Sequence, residues 1–297
     1  MTVAIENSEM SVTVDIDYGA RIVSLFDMRT NREWMLQGQH GPEPDEEAQY
    51  LGDDAVGWDE CFPTVAPCNA WSTPWGGVLR DHGVLWGRRA EIVEIGATHV
   101  VTSWRHLGLF VFQRALRLDG TSLRADYCLE NCSLEPLPYL WAAHGMLRVT
   151  SEDRIVLPTV RGVVATYLVR DGATFSARSM RWPGPNPDWP EPFDHVQPVG
   201  LHSAAKLYVS GLPGAAAYVG NESGWLRVGW SREIESLGIW LNYGGWPTAG
   251  SLHHIGLEPT SAPVDHLNAA IACAAPAITP GRGVSWSVTY TLRAPAP

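Results

Sequence analysis

The 297-residue chain has few basic residues and lacks any long apolar run. Lysine and arginine total 21 against 32 aspartate and glutamate, so the formal net charge is −11. Nucleic acids and anionic membrane surfaces are bound through basic patches, which this balance disfavours. No apolar run approaches the roughly 18 residues of a membrane-spanning helix, and the opening MTVAIENSEM has no signal-peptide pattern. The sequence therefore predicts a cytoplasmic protein that binds neither nucleic acid nor membrane.

Cysteine is also scarce. The five cysteines are scattered and odd in number, namely Cys61, Cys68, Cys128, Cys132 and Cys273. Such a set is typical of thiols in a reducing compartment rather than of a disulfide framework. Cys128 and Cys132 are four residues apart on a predicted strand, which is poor geometry for a tetrahedral zinc site. We therefore predict no metal site and no cofactor.

Helical periodicity is nearly absent, and side chains alternate between apolar and polar instead. In VSWSVTYTL, residues 284–292, every second residue is apolar, and SVTVDI at 11–16 shows the same pattern. A period of two is typical of strands with one buried face. The best helical candidate is an alanine-rich piece at 264–275, and two long loops are predicted at 41–49 and 182–193. We predict an all-β protein, a large antiparallel β-sandwich forming one domain over residues 1–297.

Tryptophan, in contrast, is abundant, with 14 in the chain. Indole rings offer flat apolar platforms with one polar nitrogen, which suits the faces of sugar rings. Several lie beside glycine or proline rather than inside apolar runs, among them Trp58, Trp75, Trp86, Trp182, Trp189 and Trp246. A wide sandwich also needs large side chains to fill its core, and composition alone favours that use.

Three segments place ionisable groups among glycine, proline and aromatic residues. They are GWDECFPTVAPC at 57–68, LRDHGVLWGR at 79–88 and HHIGLEPT at 253–260. Taken singly, each has an ordinary structural interpretation, because an isolated histidine most often has its hydrogen bonds satisfied within the fold and a glutamate before proline most often lies in a turn. Their order along the chain is more informative than any one of them.

That order, with further motifs between, resembles the galactose mutarotase-like superfamily, which includes aldose 1-epimerases and hexose-6-phosphate mutarotases. The further motifs are GARIVSLFD at 19–27, LWAAHGMLRV at 140–149, LNYGGWP at 241–247, GLEPTSAP at 256–263 and ITPGRGVSWSVTYTL at 278–292. The most specific pieces are the His-Gly of residues 81–83 and the Leu-Glu-Pro of residues 257–259. The resemblance covers nearly the whole chain and implies a large sandwich with an open sugar cleft on one face.

The resemblance also implies roles for single residues. In the family a late glutamate is the base, a mid-chain histidine is the acid and an earlier histidine binds the sugar. The matching residues here are Glu258, His144 and His82. The epimerases have an Asn-His pair where this chain has Ala143-His144, which is a departure at the acid. Substrate binding is predicted for a family-type arginine and for motif neighbours, namely Arg80, Asp59, Trp58 and Trp86.

The interconversion of sugar anomers itself requires a base and an acid. A base takes the proton of the anomeric hydroxyl while an acid protonates the ring oxygen, the ring opens, and the two groups reverse roles on closure. A carboxylate and an imidazole can do this near neutral pH without a cofactor. The sequence thus predicts an isomerase of carbohydrate metabolism, an aldose 1-epimerase that binds a small sugar as a monomer or homodimer.

Two alternatives stay open on the sequence alone. A related enzyme of the same fold, such as a lyase, a deglycosylating enzyme or an epimerase of an unusual or acidic sugar, would use the same cleft. A noncatalytic carbohydrate-binding protein would need tryptophan platforms but no Glu/His pair. A phosphorylated substrate is a further variant, because Arg80, Arg88 and Arg89 lie near His82 in sequence and guanidinium groups suit phosphate.

Overall fold

Strands with alternating burial dominate this protein, whose computed structural model describes residues 1–38, 49–158, 160, 162–187, 189–247, 252–274 and 276–297. Along Met10–Asp15, buried residues alternate with half-buried ones, and Phe110–Asp119 continues the same alternation over 10 residues. Successive side chains of a strand point to opposite faces of the sheet. Each such segment therefore turns one face to the core.

The described part of the chain contains 24 strands, one α-helix and two 3-10 turns. In chain order the strands are β1 Thr2–Glu6, β2 Met10–Asp15, β3 Arg21–Asp27, β4 Arg32–Glu33, β5 Trp58–Cys61, β6 Cys68–Asn69, β7 Val78–Leu79, β8 Glu91–Ile95, β9 His99–His106, β10 Phe110–Asp119, β11 Ser122–Asn131, β12 Leu137–Pro138, β13 Ala142–Leu147, β14 Arg154–Val156, β15 Gly162–Arg170, β16 Ala173–Phe175, β17 Arg178–Arg181, β18 Ser203–Ser210, β19 Ala216–Asn221, β20 Gly224–Trp230, β21 Ser236–Tyr243, β22 His253–Thr260, β23 Ala277–Ile278 and β24 Gly283–Ala294. The helix, α1, spans Leu267–Ala272, and the 3-10 turns span Gly52–Asp54 and Val199–Leu201. The helix lies inside the one segment for which the sequence predicted helix.

Two large antiparallel sheets form the body of the fold. The larger has 12 strands in the order β1-β2-β3-β5-β13-β22-β21-β18-β15-β16, with β4 paired to β3 and β17 to β15. The smaller has 8 strands in the order β14-β19-β20-β24-β11-β10-β9-β8. The pairs β12-β23 and β6-β7 are small separate sheets. The prediction of an all-β protein with large antiparallel sheets is confirmed.

The apolar core lies between the two large sheets. Trp58 of β5 packs against Tyr290 of β24, with ring centroids 4.4 Å apart, and Phe62 packs against Phe112 of β10 at 5.2 Å. The alternating segment predicted at 284–292 places its tryptophan, Trp286, in this core. Large side chains from both sheets thus fill the space between them, as expected for close-packed interiors.

An ion pair is enclosed within this core. Arg114 donates to Oε1 of Glu60 at 2.8 Å, and Tyr127 donates to the same oxygen at 3.0 Å. Trp141 donates its Nε1 hydrogen to Oε2 at 2.8 Å. Burial raises the pKa of Glu60 to about 7, against the lowering effect of these donors. Both oxygens of this carboxylate are therefore occupied inside the protein.

Of the two predicted long loops, only the second lies mostly within the described residues. The acidic segment at 41–49 lies outside the described residues apart from Gln49. In the proline-rich segment at 182–193, Trp182 and Trp189 both pack against Phe193, with ring centroids 6.1 and 5.4 Å away. The indoles of that loop therefore serve packing. No helix within the described ranges is long and apolar enough to cross a membrane.

Candidate active site

A row of residues crosses five neighbouring strands of the larger sheet. The register between β13 and β22 pairs Ala142 with Thr260 and Met146 with Gly256, and by continuation it places His144 opposite Glu258. From β5 to β18 the row consists of Asp59, His144, Glu258, Gly238 and Tyr208. Directly opposite residues of antiparallel strands have Cβ atoms about 4.5–5.5 Å apart. The fold therefore sets a carboxylate and an imidazole side by side on one face of the sheet.

The sequence of β22 explains why Glu258 faces away from the core. Ile255 and Leu257 are fully buried members of the core, so the alternate residues, Gly256 and Glu258, point to the opposite face. A Cβ at Gly256 would lie 2.7 Å from Oε1 of Glu258, and one at Gly238 would lie 3.3 Å from Oε2. The two glycines therefore leave the space that the Glu258 carboxylate occupies.

The two oxygens of Glu258 have different surroundings. Oε2 accepts a hydrogen bond from the Lys206 ammonium, whereas Oε1 is buried and has no hydrogen-bond partner among the described residues. Glu258 is 1% exposed, yet it lines a cavity. An unpaired buried carboxylate oxygen is costly. Oε1 is therefore positioned to accept a proton or a hydrogen bond from a bound molecule.

A carboxylate and a guanidinium orient His144. Its Nδ1 lies 2.8 Å from Oδ1 of Asp59, and Arg21 donates to Oδ2 at 2.8 Å. Burial by itself would raise the pKa of Asp59, but Arg21 and His144 bring it down to about 2. An ionised carboxylate only accepts hydrogen bonds, so Nδ1 carries a hydrogen. Nε2 is then the ring nitrogen left for a ligand.

His82 stands beside His144 on a tight turn. Its φ is 58°, and its ring lies 4.5 Å from that of His144 and is stacked on Tyr50 at 3.7 Å. Burial, followed by the nearby His144 imidazole, lowers the pKa of His82. His82 is therefore neutral at neutral pH, a state suited to exchanging hydrogen bonds with a hydroxyl group.

One ligand atom from each of His82, His144 and Cys61 lies within 4.8 Å of the others, so these three side chains could also hold a metal ion.

All three residues with predicted acid, base and sugar-binding roles line one cavity of about 300 Å³. That volume is at the lower end of the roughly 300–1,000 Å³ of small-molecule sites. The lining residues are Tyr50, Ala55, Val65, Ala66, Asp81, His82, His144, Met146, Thr166, Tyr167, Lys206, Trp240, Trp246, Glu258, Asp265 and His266. The structure thus brings His82, His144 and Glu258 together, while their chemical roles stay predictions.

Trp58 is in the core instead of the cavity. It is 0% exposed and packs on Tyr290 of the other sheet. Because side chains alternate along β5, Trp58 and Glu60 point into the sandwich while Asp59 points to His144. The prediction that the Trp58 indole binds substrate is therefore wrong.

Trp86 lies behind the cavity wall, and Arg80 stacks on its ring without lining the cavity. Trp86 is 1% exposed, packs edge-on against Tyr50 and donates its Nε1 hydrogen to the carbonyl of Asp81 at 3.0 Å. The Arg80 guanidinium lies 4.6 Å above the Trp86 ring. Like Asp59 behind His144, these side chains support the residues that line the cavity. The predicted direct contact of the sugar with Trp86 and Asp59, both buried, is therefore wrong, whereas that of the half-buried Arg80 stays a prediction.

Sequence reasoning missed several lining residues, above all Lys206. This lysine is 7% exposed and lies two residues before Tyr208 on β18, so both point to the cavity face. Tyr208 donates its hydroxyl hydrogen to Asp265 at 2.6 Å. Lysine is almost never buried unless it is paired, so the lone lysine in the apolar strand AAKLYVS was a usable signal. Tyr50 and Trp240 carried no comparable signal.

Comparison with known proteins identifies the fold. No protein-family model matches the sequence, and no curated protein matches it either. A structure from Escherichia coli K12, provisionally named an aldose 1-epimerase, superposes with a TM-score of 0.73 at 13% identity, covering 98% of each chain. A galactose mutarotase related enzyme from Lactobacillus acidophilus gives 0.68 at 15% identity, over 99% of this chain and 98% of the other. A GalM/aldose epimerase homologue from C. elegans gives 0.62 at 14% identity, over 98% of both.

These similarities extend over nearly the full length of each partner, and they are similarities of fold. The chain therefore has the galactose mutarotase-like fold, as the order of its sequence motifs predicted. At such low identity the activity has to be argued from the residues of the cavity.

Proposed function

We propose that this protein is an aldose 1-epimerase, an isomerase that interconverts the α and β anomers of a small sugar. The observation that carries the proposal is the opposition of Glu258 and His144 on neighbouring strands at the wall of one cavity. The free Oε1 of Glu258 and the orientation of His144 by Asp59 support it. Both are features that acid–base chemistry requires.

The geometry suggests how the exchange proceeds. Oε1 of Glu258 takes the proton of the anomeric hydroxyl while Nε2 of a protonated His144 gives its proton to the ring oxygen. The C1–O5 bond breaks, and the open-chain aldehyde turns about the C1–C2 bond. On closure, His144 takes back the proton of the O5 hydroxyl and Glu258 returns its proton to the aldehyde oxygen. The cycle ends with both groups as they began, so no net proton is consumed.

A binding protein without catalysis fits the cavity less well. Such a protein needs hydroxyl-binding groups and aromatic walls, which Trp240 and Trp246 can supply. It gains nothing from keeping the Glu258 oxygen buried without a partner, which costs stability. Catalytic sites commonly retain such unfavourable arrangements because the reaction requires them.

The cavity favours an uncharged sugar. The described residues that line it include three acids, Asp81, Glu258 and Asp265, and one lysine, Lys206, which is already paired with Glu258. None of these lining residues is an arginine. Arg89, one candidate phosphate ligand from the sequence, is 67% exposed and pairs with Asp17. The charge pattern would repel a phosphorylated or carboxylated substrate.

The test follows the optical rotation of freshly dissolved single anomers of a panel of aldoses, with and without protein. We expect faster equilibration of at least one neutral aldose and no acceleration for its 6-phosphate. Glu258→Gln preserves size and polarity but cannot take the proton, so turnover should fall by about 10²–10⁴-fold while sugar binding persists.

Glu130→Gln is the matched control, because Glu130 is an exposed carboxylate on β11 of the other sheet. It should retain the full rate. If the wild type accelerates none of the aldoses, the chain does not catalyse mutarotation. If Glu258→Gln retains the full rate, the base is assigned to the wrong residue.

A further inference from the structure

A buried thiol faces the same side of the sheet as the candidate acid. Cys61 is fully buried and free, and it lies two residues after Asp59 on β5, so both side chains point to the same face. One ligand atom from each of Cys61, His82 and His144 lies within 4.8 Å of the other two. The proposed mechanism makes no use of this thiol.

The spacing is close to that of a tetrahedral metal site. With metal–nitrogen bonds near 2.0–2.1 Å and metal–sulfur bonds near 2.3 Å, ligand atoms lie roughly 3.3–3.8 Å apart. The separations, at most 4.8 Å, would have to shorten by up to about 1.5 Å, which side-chain rotation can supply. Thiolate and imidazole ligands select zinc and similar borderline cations over magnesium and calcium. His82 and His144 both line the cavity, which leaves a fourth position open to it.

His144 already has the outer partner that metal-binding histidines use, because its Nδ1 lies 2.8 Å from an Asp59 oxygen. Nδ1 of His82 lies 3.2 Å from an Asp81 oxygen without forming a hydrogen bond to it. A carboxylate on one ring nitrogen orients the ring and makes the other nitrogen a better ligand. In His144 the nitrogen left for a metal is therefore Nε2.

Of the three ligands, the Cys61 thiol is the one that has to lose a proton to bind a metal ion. When the metal–sulfur bond forms, the thiol proton leaves to solvent, as in other sites where metal binding deprotonates cysteine.

We propose that Cys61, His82 and His144 form a binding site for a zinc ion and that its occupation blocks the sugar site. The metal would occupy the nitrogen with which His144 is to protonate the ring oxygen and would also engage His82. The blocking effect rests on the proposed function, whereas metal binding does not.

Cobalt(II) and zinc test the two parts separately. The exposed thiols Cys132 and Cys273 and the half-buried thiol Cys128 are first changed to serine, so that Cys61 and Cys68 are the thiols left to bind metal. Titration with cobalt(II) should produce one equivalent of thiolate-to-cobalt charge-transfer absorption, which zinc displaces. Zinc at the same stoichiometry should abolish mutarotation, a chelator should restore it, and magnesium should have no effect.

Cys61→Ser in that background should weaken zinc binding by about 100-fold or more, since even outer-partner changes cost about 10–100-fold. It should retain the metal-free rate. Cys68→Ser, at a buried cysteine outside the cluster, should keep the cobalt absorption. Absence of that absorption in the protein with Cys61 intact, or its persistence in Cys61→Ser, would overturn the site. Zinc binding without inhibition would overturn only the blocking role, and cobalt binding by a protein without mutarotase activity would refute only the proposed function.

Discussion

Glu60 and Glu258 are both buried glutamates paired with a cation, yet their surroundings differ. Glu60 lies between the sheets, and Arg114, Tyr127 and Trp141 donate to its two oxygens. Glu258 lies on the outer face of the larger sheet, where Lys206 contacts one oxygen and the other has no partner among the described residues. A fully satisfied carboxylate serves the fold, whereas a half-satisfied one at a cavity is available to a ligand.

The same contrast appears within two consecutive residues of β5. Glu60 points into the core, while Asp59 points to the cavity side and holds His144. The pKa of Glu60 is raised to about 7, chiefly by burial. Asp59 is equally buried, but Arg21 and His144 lower its pKa to about 2. Strand alternation thus lets one segment supply a structural group and a functional group side by side.

The largest effect we expect is on stability, from Glu60→Gln. The amide keeps the shape but leaves Arg114, which is 0% exposed, without a counter-charge. Breaking a buried ion pair from one side typically costs about 3–5 kcal/mol in free energy of unfolding. Urea denaturation measures this directly. Glu258→Gln should show no such loss, and an equal loss in both variants would remove the distinction between the two glutamates.

Much of the fold could be predicted because it depends on local alternation. Segments such as 284–292 show their buried face in the sequence itself, and the helix at Leu267–Ala272 follows from the alanine-rich stretch around it. The location of Glu258, His82 and His144 at one cavity followed from the order of motifs. No such local rule says which tryptophan faces a cavity, since both faces of β5 are covered. Trp58 was therefore assigned to the wrong face.

The supporting residues could not be predicted for a different reason. Lys206 and Glu258 are 52 residues apart, and their contact depends on the pairing of β18 with β21 and of β21 with β22. A strand pattern identifies which residues share a face but does not specify strand order. Tyr50 reaches His82 from a segment outside the strands, where periodicity carries no information.

The next largest effect is expected from Asp59→Asn, and it should be an effect on turnover rather than on stability. An amide can no longer fix the hydrogen on Nδ1 of His144, so the fraction of correctly oriented acid falls. By analogy with other carboxylate–histidine pairs, kcat should drop by about 10²–10⁴-fold with little change in KM. Because Arg21 loses its counter-charge as well, rates must be normalised to the folded fraction, measured by circular dichroism. A normal kcat per folded molecule would show that Asp59 has no part in catalysis.

The smallest effect is expected from Lys206→Met, which keeps the apolar stem and removes the ammonium. Loss of one charge-assisted hydrogen bond to Glu258, worth about 1.5–3 kcal/mol, should slow turnover by about 10- to 100-fold. Lys206→Arg, which keeps a cation beside Glu258, should largely preserve the wild-type turnover.

The effect on stability of removing each cation, Lys206 or Arg114, distinguishes the two ion pairs. In Lys206→Met, one water molecule from the cavity can take the place of the ammonium at Oε2 of Glu258, so the free energy of unfolding should change little. In Arg114→Met, no water reaches the enclosed Glu60, and the loss should approach the roughly 3–5 kcal/mol of a broken buried pair. If Lys206→Met destabilises the protein as much as Arg114→Met does, the Lys206–Glu258 pair is a structural element, and Glu258 loses its distinction as the available carboxylate.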